Sequence, residues 1–459
     1  MHRAPTAILK GSALIVDEGL IEQRGYLRDL IGIGFGPSNL ALAVAVAEHE
    51  HEHALAAAFL ESKPAFRWHE GMLIDGATMQ VSFLKDLVTL RDPSSAYSFL
   101  SYLHEKGRLI DFINHKELYP SRTEFHDYFA WAAARLEHLV TYECAVTHIE
   151  PVWAGDRIAH FAVHTRRSPD RPLPARNLVL ATGLRPRMPD GVQPGPRVWH
   201  NHELLYRTGP LHDTAPRRLV VVGAGQSAAE TAEYLHRTFG TAEINLVFAR
   251  YGFSPADDSP FANRIFDPAA VDDFFAADDE TKQRLLKYHA NTNYSVVDLE
   301  LIDELYRRHY QERVNGHERL RFLKASRIAS LDERDDTVVV RVAHQLDGTI
   351  STIEADAVVF ATGYRPPDHT PLLGGVADLV VRDTAGRPVV DRDYRLRLRV
   401  PATGGIYLQG GTEHTHGITA SLLSNSAVRA GEILASITAS ARFGELRTMS
   451  LSNTGGGHA

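Results

Sequence analysis

The chain has 459 residues, 44% of them hydrophobic and 23% charged, which fits a globular protein of two or three domains and excludes a disordered chain. A net charge of −8, with no run of Lys or Arg, argues against nucleic acid as a partner. Cys144 is the only cysteine, which excludes an internal disulfide and Cys-x-x-Cys redox chemistry and fits a reducing cytoplasm; neither a signal peptide nor a membrane span is expected.

Residues 1–27 read as a lead-in. A strand is predicted over 28–33, followed by the turn Gly32-Ile33-Gly34-Phe35-Gly36 and a helix over 38–47 opened by Pro37-Ser38-Asn39. This is the strand, glycine turn and helix of a dinucleotide-binding unit. Gly32 is expected to allow the tight turn, Gly34 the approach of a diphosphate, and Gly36 close packing of helix on strand. Pro37 and Ser38 suit a first helical turn, whose unpaired N–H groups and positive dipole end attract phosphate. Residues 48–53, EHEHEH, read as a solvated helix end, and no metal site is assigned to them. A second strand is predicted over 54–60. Glu61 follows twenty-five residues after Gly36, near where a carboxylate takes a ribose hydroxyl pair. Residues 66–91 have neither helical nor strand period and read as an irregular segment lining a site. Helices are predicted over 93–107 and 122–136, the second with a cap-like opening at 123–127. Strands follow over 140–182, ending in Ala181-Thr182-Gly183.

The pattern restarts with a strand over 219–222, the turn Gly223-Ala224-Gly225-Gln226-Ser227-Ala228, a helix to about 236 and a strand over 244–248. Arg250 after that strand offers charge for a 2′-phosphate, so this copy favours NADPH over NADH. Residues 255–310 are polar and helical. Residues 319–363 are strand-like and end in Ala361-Thr362-Gly363, echoing the first such motif where the chain crosses between units. A glycine-flanked strand over 404–411 leads past His414 and His416, read as structural, to a helix over 422–442. The expected architecture is α/β, with two Rossmann-like dinucleotide-binding domains and a smaller, mostly helical substrate-binding region. The first domain takes residues 28–190 and 356–445. The second takes 191–355 with a helical insertion over 255–315, and 446–459 form a flexible tail. Two such units imply two dinucleotides, a resident flavin and a visiting nicotinamide. Without a cysteine pair, dioxygen is the remaining acceptor for the reduced flavin.

The motifs GIGFGPSNLALA, WHEGMLIDGATMQVSFLKDLVTLRDPSSAYSFLSYLHEKGRL, YPSRTEFHDYF, GAGQSAAE, DDSPFANRIFDP, NTNYSVV, ATGYRP and HGITASLLS carry a further likeness. Over nearly the whole chain the sequence resembles the flavin-dependent N-hydroxylating monooxygenases of siderophore biosynthesis, the L-ornithine N5- and L-lysine N6-monooxygenases, and the ornithine type most closely. That resemblance implies FAD and NADPH as cofactors. It implies O2-dependent hydroxylation of the L-ornithine side-chain amine through a C4a-hydroperoxyflavin, in a homotetramer. It assigns Lys85 to the substrate carboxylate and Asn263, with Arg264, Ile265 and Phe266, to the amino-acid head group. Asn293 falls beside substrate, flavin and the NADP+ ribose, and Ser424, with Leu422, near the side-chain amine. Gln80 falls by the flavin edge. Trp68, His69, Val146, Ser421, Leu422 and Leu423 join the first glycine turn and Glu61 around FAD. Ala224, Gln226 and Ser227 match the NADP loop between Gly223 and Gly225.

A free amino acid needs a cation for its carboxylate and an amide to orient it, which Lys85 and Asn263 supply. The amine must be neutral to take oxygen, and a desolvated pocket favours that form. L-lysine and the diamines putrescine and cadaverine are the competing substrates; a diamine has no carboxylate for Lys85. A Baeyer–Villiger or S-oxygenating enzyme would carry a Phe-x-Gly-x3-His linker, and His200 and His202 lack the preceding Phe-x-Gly. A non-catalytic flavin-binding module would not need Lys85, Asn263 and Asn293. The sequence departs from the resemblance at Thr419-Ala420-Ser421 and over 250–257, both beside expected ligand sites.

Overall fold

The computed structural model describes residues 26–49 and 54–453. The expected lead-in over 1–25, the polar run at 50–53 and the tail beyond 453 lie outside the described residues.

Two parallel sheets organise the chain. In the first, Arg28–Ile33 pairs in parallel with Ala57–Leu60 on one side and Ser168–Leu180 on the other. Val140–Thr141 extends one edge, and Ile406–Leu408 pairs in parallel with Ser168–Leu180. Val146–Ala154 and Arg157–Thr165 continue the sheet as an antiparallel hairpin. In the second, Leu320–Leu323, Glu243–Val247, Arg218–Val222, Ala357–Phe360 and Val198–His200 lie side by side in that order, all parallel. Three antiparallel strands, Ser326–Glu333, Val338–His344 and Ile350–Ala355, pack against it. This is the α/β architecture expected. The return crossing falls later than expected, however. Ala357–Phe360, placed by the sequence in the returning first domain, pairs with Arg218–Val222 and belongs to the second sheet.

The central strands are buried on both faces, so they read as continuous apolar runs. The helix Pro37–His49 is apolar all round, and Asn39 to Val46 are all buried. It lies between the first sheet, Arg122–Arg135 and the closing helix Ser426–Asn453. Ile433 and Ile437 of the closing helix are fully buried there, each contributing about 1.5–3 kcal/mol. That helix starts four residues later than the sequence suggests, because Ile418–Ser421 and Leu423–Asn425 are separate short 3-10 turns, and it runs to Asn453.

Three other boundaries differ. The helix expected from 93 begins at Phe99, capped by Ser98 and held by the Asp86 carboxylate, which accepts the Phe99 N–H at 2.8 Å. A further helix, Leu109–His115, follows the stop at Gly107. The helix Arg122–Arg135 is capped by Ser121, whose hydroxyl accepts the Glu124 N–H, and not within 123–127. Between the sheets the two crossings pair with each other, Tyr364 with Pro186 and Arg365 with Arg185.

Two buried histidines brace the fold, one of them at a crossing. His200 bonds the Gly363 carbonyl at the second crossing (2.9 Å), and His416 stacks on Tyr394 and bonds the Arg392 carbonyl. Burial lowers each from 6.5 to about 4. The folded-state value lies below the unfolded one, so the unfolded chain takes the proton first as pH falls. Stability is therefore full above pH 6.5 and lost progressively toward pH 4, by on the order of 3 kcal/mol per histidine. Urea midpoints measured at pH 7.5 and pH 5 should show this loss, and His416→Gln should remove about half of it, leaving the part carried by His200.

Candidate functional site

Both glycine turns are built on the same close approach. Gly34 has φ +86°, and a Cβ there would come within 2.5 Å of the Ala181 carbonyl oxygen. Gly223 has φ +145°, and a Cβ there would come within 2.3 Å of the Ala361 carbonyl oxygen. Each Ala-Thr-Gly motif thus ends a strand whose carbonyl abuts a glycine turn. The glycine roles in the first turn differ from the sequence reading. Gly34 makes the turn, while Gly32 leaves room for the Phe59 ring, which a Cβ would approach to 2.3 Å. A Cβ on Gly36 would meet open space, so helix packing does not require that glycine.

Glu61 is buried and braces the first turn. One oxygen accepts the Phe35 N–H at 2.6 Å, and the other accepts the Lys63 N–H and the Ser62 hydroxyl. Its carboxylate keeps lone pairs for a further donor. Asn39 is fully buried and spent within the protein, donating to the Gly34 carbonyl at 2.7 Å and accepting from Gln409 at 3.0 Å. It shapes the turn from below. Pro37 and Ser38 open the helix, whose first N–H groups point at the turn. From there an aromatic wall runs through Phe35, Phe66, Phe129 and Trp68 to His69. His69 ends the wall exposed to solvent on one side, and the desolvation of its packed side lowers its pKa. Val146 starts its strand in the apolar layer on the far face of this sheet. Ser421 accepts the Gly411 N–H at 3.5 Å, and Leu422 and Leu423 continue that segment to Ser424.

At the second turn the loop 293–295 lies directly over Gly225, whose added Cβ would come within 3.3 Å of Ser295 Cα. Arg250 donates to the Ser295 carbonyl at 2.8 Å, so its exposed guanidinium is held beside this turn. Ala224 and Ser227 are half-buried along it. Tyr294 bonds Glu413, which ties the loop carrying Asn293 to the returning part of the first unit.

A polar ring joins the two units, and the sequence reading found only part of it. Arg122 forks onto Glu230 at 2.7 and 3.0 Å and donates to the Met72 carbonyl. Gln226 donates to Glu230 and to Asp298 and accepts the Asp298 N–H at 2.9 Å. Gln80 closes the ring onto Asp298 at 3.4 Å, so it faces the second turn. Burial raises the Asp298 pKa.

The third cluster is the substrate set. Lys85 stands 5.8 Å from the centre of the Phe266 ring, and no carboxylate among the described residues pairs with it. Asn263 donates to the Asp258 carbonyl at 2.6 Å, which fixes the turn carrying Arg264, Ile265 and Phe266. Asn425 donates to the Phe266 carbonyl at 3.2 Å, joining that turn to Ser424. The Ser424 hydroxyl is buried and has no hydrogen-bond partner among the described residues. A buried hydroxyl without a partner and an unpaired cation, linked through Phe266 and Asn425, suit a ligand with a carboxylate at one end and an amine at the other. Residues the sequence reading missed are Arg122, Glu230, Asp298, Gln409, Asn425 and Arg429. Each is a common polar residue inside a helical or strand pattern, with no local signal.

The fold and these three clusters define a two-dinucleotide flavoprotein oxidoreductase. The sequence profile of the L-lysine 6-monooxygenase/L-ornithine 5-monooxygenase family matches residues 26–366, and the chain belongs to that family. The L-ornithine N(5)-monooxygenase of Burkholderia cepacia is 42% identical over 404 residues, covering 86% of this chain and 91% of its own length. Among solved structures, the ornithine N-hydroxylase of Kutzneria sp. 744, in complex with reduced FAD, NADP+ and L-ornithine, superposes with a TM-score of 0.86 at 46% identity, covering 90% of this chain and 99% of that one. The L-lysine 6-monooxygenase of Pseudomonas syringae superposes with a TM-score of 0.80 at 31% identity, covering 90% and 99%.

The Arg122–Glu230 pair is buried on both sides, with side chains 13% and 7% exposed. Arg122→Met should strand the Glu230 charge and cost roughly 3 kcal/mol, while Arg122→Met with Glu230→Gln should recover much of that. Thermal melting of the two variants checks it.

Proposed function

We propose that this chain hydroxylates the side-chain amine of L-ornithine, using NADPH, O2 and FAD. The first glycine turn, Glu61 and the aromatic wall hold FAD. The second turn and Arg250 hold NADPH, with the guanidinium toward the 2′-phosphate, and the loop carrying Asn293 lies at the ribose. Bound FAD supplies the activated oxygen that is transferred to the amine. The observation that carries the reading is the linked set Lys85, Phe266, Asn425 and Ser424, in which a cation over the Phe266 ring and a buried hydroxyl without a partner among the described residues meet through two short turns joined by the Asn425 hydrogen bond.

Lys85 pairs with the substrate carboxylate, and Asn263 holds the turn that orients the head group. Ser424 accepts from the amine at the other end. The amine has an ordinary pKa of about 10.4, and desolvation between these groups favours the neutral form that can take oxygen. No carboxylate stands beside Ser424 in the described hydrogen bonds, so positioning rather than a strong base carries the step. Gln80, held by Asp298 across the ring, lies between the two dinucleotide units at the flavin edge. The residues fit both cofactors by their chemistry: unspent helix N–H groups at the first turn, a carboxylate for a ribose, and a cation at the second turn.

Among the described residues no helix is long and apolar enough to cross a membrane. The family likeness supports a cytoplasmic enzyme that acts as a homotetramer and feeds a siderophore or a related nonribosomal peptide.

A panel of ornithine, lysine, putrescine and cadaverine, scored by hydroxylated amine per NADPH oxidised, tests the substrate. Ornithine should couple best; peroxide alone with ornithine and coupled product with another amine would overturn the choice. Lys85→Ala should raise the ornithine KM by roughly thirtyfold or more while flavin reduction by NADPH stays nearly intact. Equal loss of both steps would remove its assigned role. Arg250→Ala should raise the NADPH KM by roughly tenfold or more and leave that for NADH nearly unchanged, since NADH offers no 2′-phosphate to the guanidinium.

A further inference from the structure

Behind the first glycine turn stands a cation that the proposed chemistry does not use. Arg429 lies one turn into the closing helix and is 2% exposed. Its Nη1 donates to the Ala420 carbonyl at 2.7 Å. Its Nη2 is 3.4 Å from the hydroxyls of Ser38 and Ser426, and its Nε is 3.4 Å from Gln409 Oε1. Gln409 donates in turn to the Ser38 carbonyl at 3.1 Å. All these partners are neutral. Glu432, one turn further along, has both oxygens on Arg392 at 2.8 and 3.0 Å. No carboxylate among the described residues pairs with Arg429.

The Glu432 charge acts on Arg429 from one turn away, but burial outweighs it. A buried guanidinium with no carboxylate bonded to it is costly, and an apolar side chain of the same size would leave the protein alone no less stable. A resident anion nearby changes that balance. Ser38 is the second residue of the helix Pro37–His49, at the end whose N–H groups and dipole receive phosphate. The guanidinium therefore stands one hydroxyl behind the turn proposed to seat FAD.

We propose that Arg429 is the buried counter-charge for the diphosphate of FAD. It is a positioning residue, acting through the Ser38 hydroxyl and through its field in a low-dielectric setting, not a direct ligand. The inference rests on the reading that the first turn seats FAD. It explains two features together: why Arg429 has only neutral partners, and why Gln409 is spent holding both Ser38 and Arg429. The diphosphate carries the same charge in oxidised and reduced flavin, so Arg429 strengthens retention of both forms and leaves the flavin midpoint potential unmoved.

The test uses the enzyme as purified, with Arg429→Met and Arg429→Lys. FAD release after dilution is followed by the rise in flavin fluorescence, and melting is recorded with and without added FAD. Arg429→Met should release FAD roughly tenfold faster or more and lose most of the melting shift that FAD gives the wild type, with the potential unchanged. Arg429→Lys, which keeps the charge, should recover much of the retention. Wild-type retention in Arg429→Met would overturn the proposal. So would equal FAD loss in both variants, which would mean packing, or a shifted potential with unaltered retention, which would put the charge at the isoalloxazine. If Arg429→Met does not fold, Arg429→Gln, uncharged but able to donate to Ala420, makes the same comparison. A wild type that holds no FAD at all would instead remove the reading of the first turn.

Discussion

The geometry of this protein depends on one contact made twice, a glycine turn lying against the carbonyl that ends a neighbouring strand. Gly34 meets Ala181 and Gly223 meets Ala361, with a positive φ at both glycines. A side chain at either glycine would face steric overlap with backbone, which cannot swing aside, as well as an unfavourable φ. The contact fixes the start of the following helix against the sheet, and so fixes where its unpaired N–H groups point. It also fixes where the chain leaves the sheet, because Gly183 and Gly363 come two residues after the two alanines. The two exits then pair as a short antiparallel ladder. One steric constraint therefore sets both dinucleotide turns and the hinge-like crossing between the units.

What the crossing leaves open, the polar ring closes. Gln80 and Arg122 come from the first unit, and Gln226, Glu230 and Asp298 from the second. Buried and partly buried charges in such a ring gain most when every member is satisfied, so the ring favours one relative placement of the two units. A hydride donor on one unit and an acceptor on the other require that kind of placement. Tyr294 adds a second tie, from the loop over Gly225 to Glu413, beside the returning strand of the first unit.

Much of this was legible in the sequence, because its signals were local. Turn glycines, the strand-end Glu61 and the repeated Ala-Thr-Gly motif each declare themselves within a few residues. The proposed substrate residues are named only through the family resemblance, since Lys85 and Asn263 in isolation read as surface polar groups. Arg429 was not legible at all. An arginine in an amphipathic helix normally faces water, and only the closing helix docking on Pro37–His49 buries it. The misplaced start at 93 has a similar cause. Pro93 and Ser94 mimic a helix opening, but the Asp86 carboxylate, distant in the pattern, captures the Phe99 N–H and sets the true start. The boundary at 356 failed because strand pairing between units is a long-range choice that periodicity does not encode.

The same division explains why reaction class is more firmly written in this chain than substrate. Two dinucleotide seats, a fixed crossing and no thiol pair restrict what a reduced flavin here can do, and those features are spread over the whole fold. Substrate choice rests on two short segments, the turn from Asn263 to Phe266 and the turn from Leu423 to Asn425, joined by a single hydrogen bond at 3.2 Å. A pocket that distinguishes amines by one methylene gains only about 1–3 kcal/mol from the difference. On the proposed reading the polar ends do more of the selecting, Lys85 by requiring a carboxylate and Ser424 by leaving a buried acceptor that only a correctly placed amine satisfies. A fold shared with a lysine hydroxylase is thus compatible with a different substrate, because the spacing between those two ends is set by a few side chains and not by the sheets that carry them.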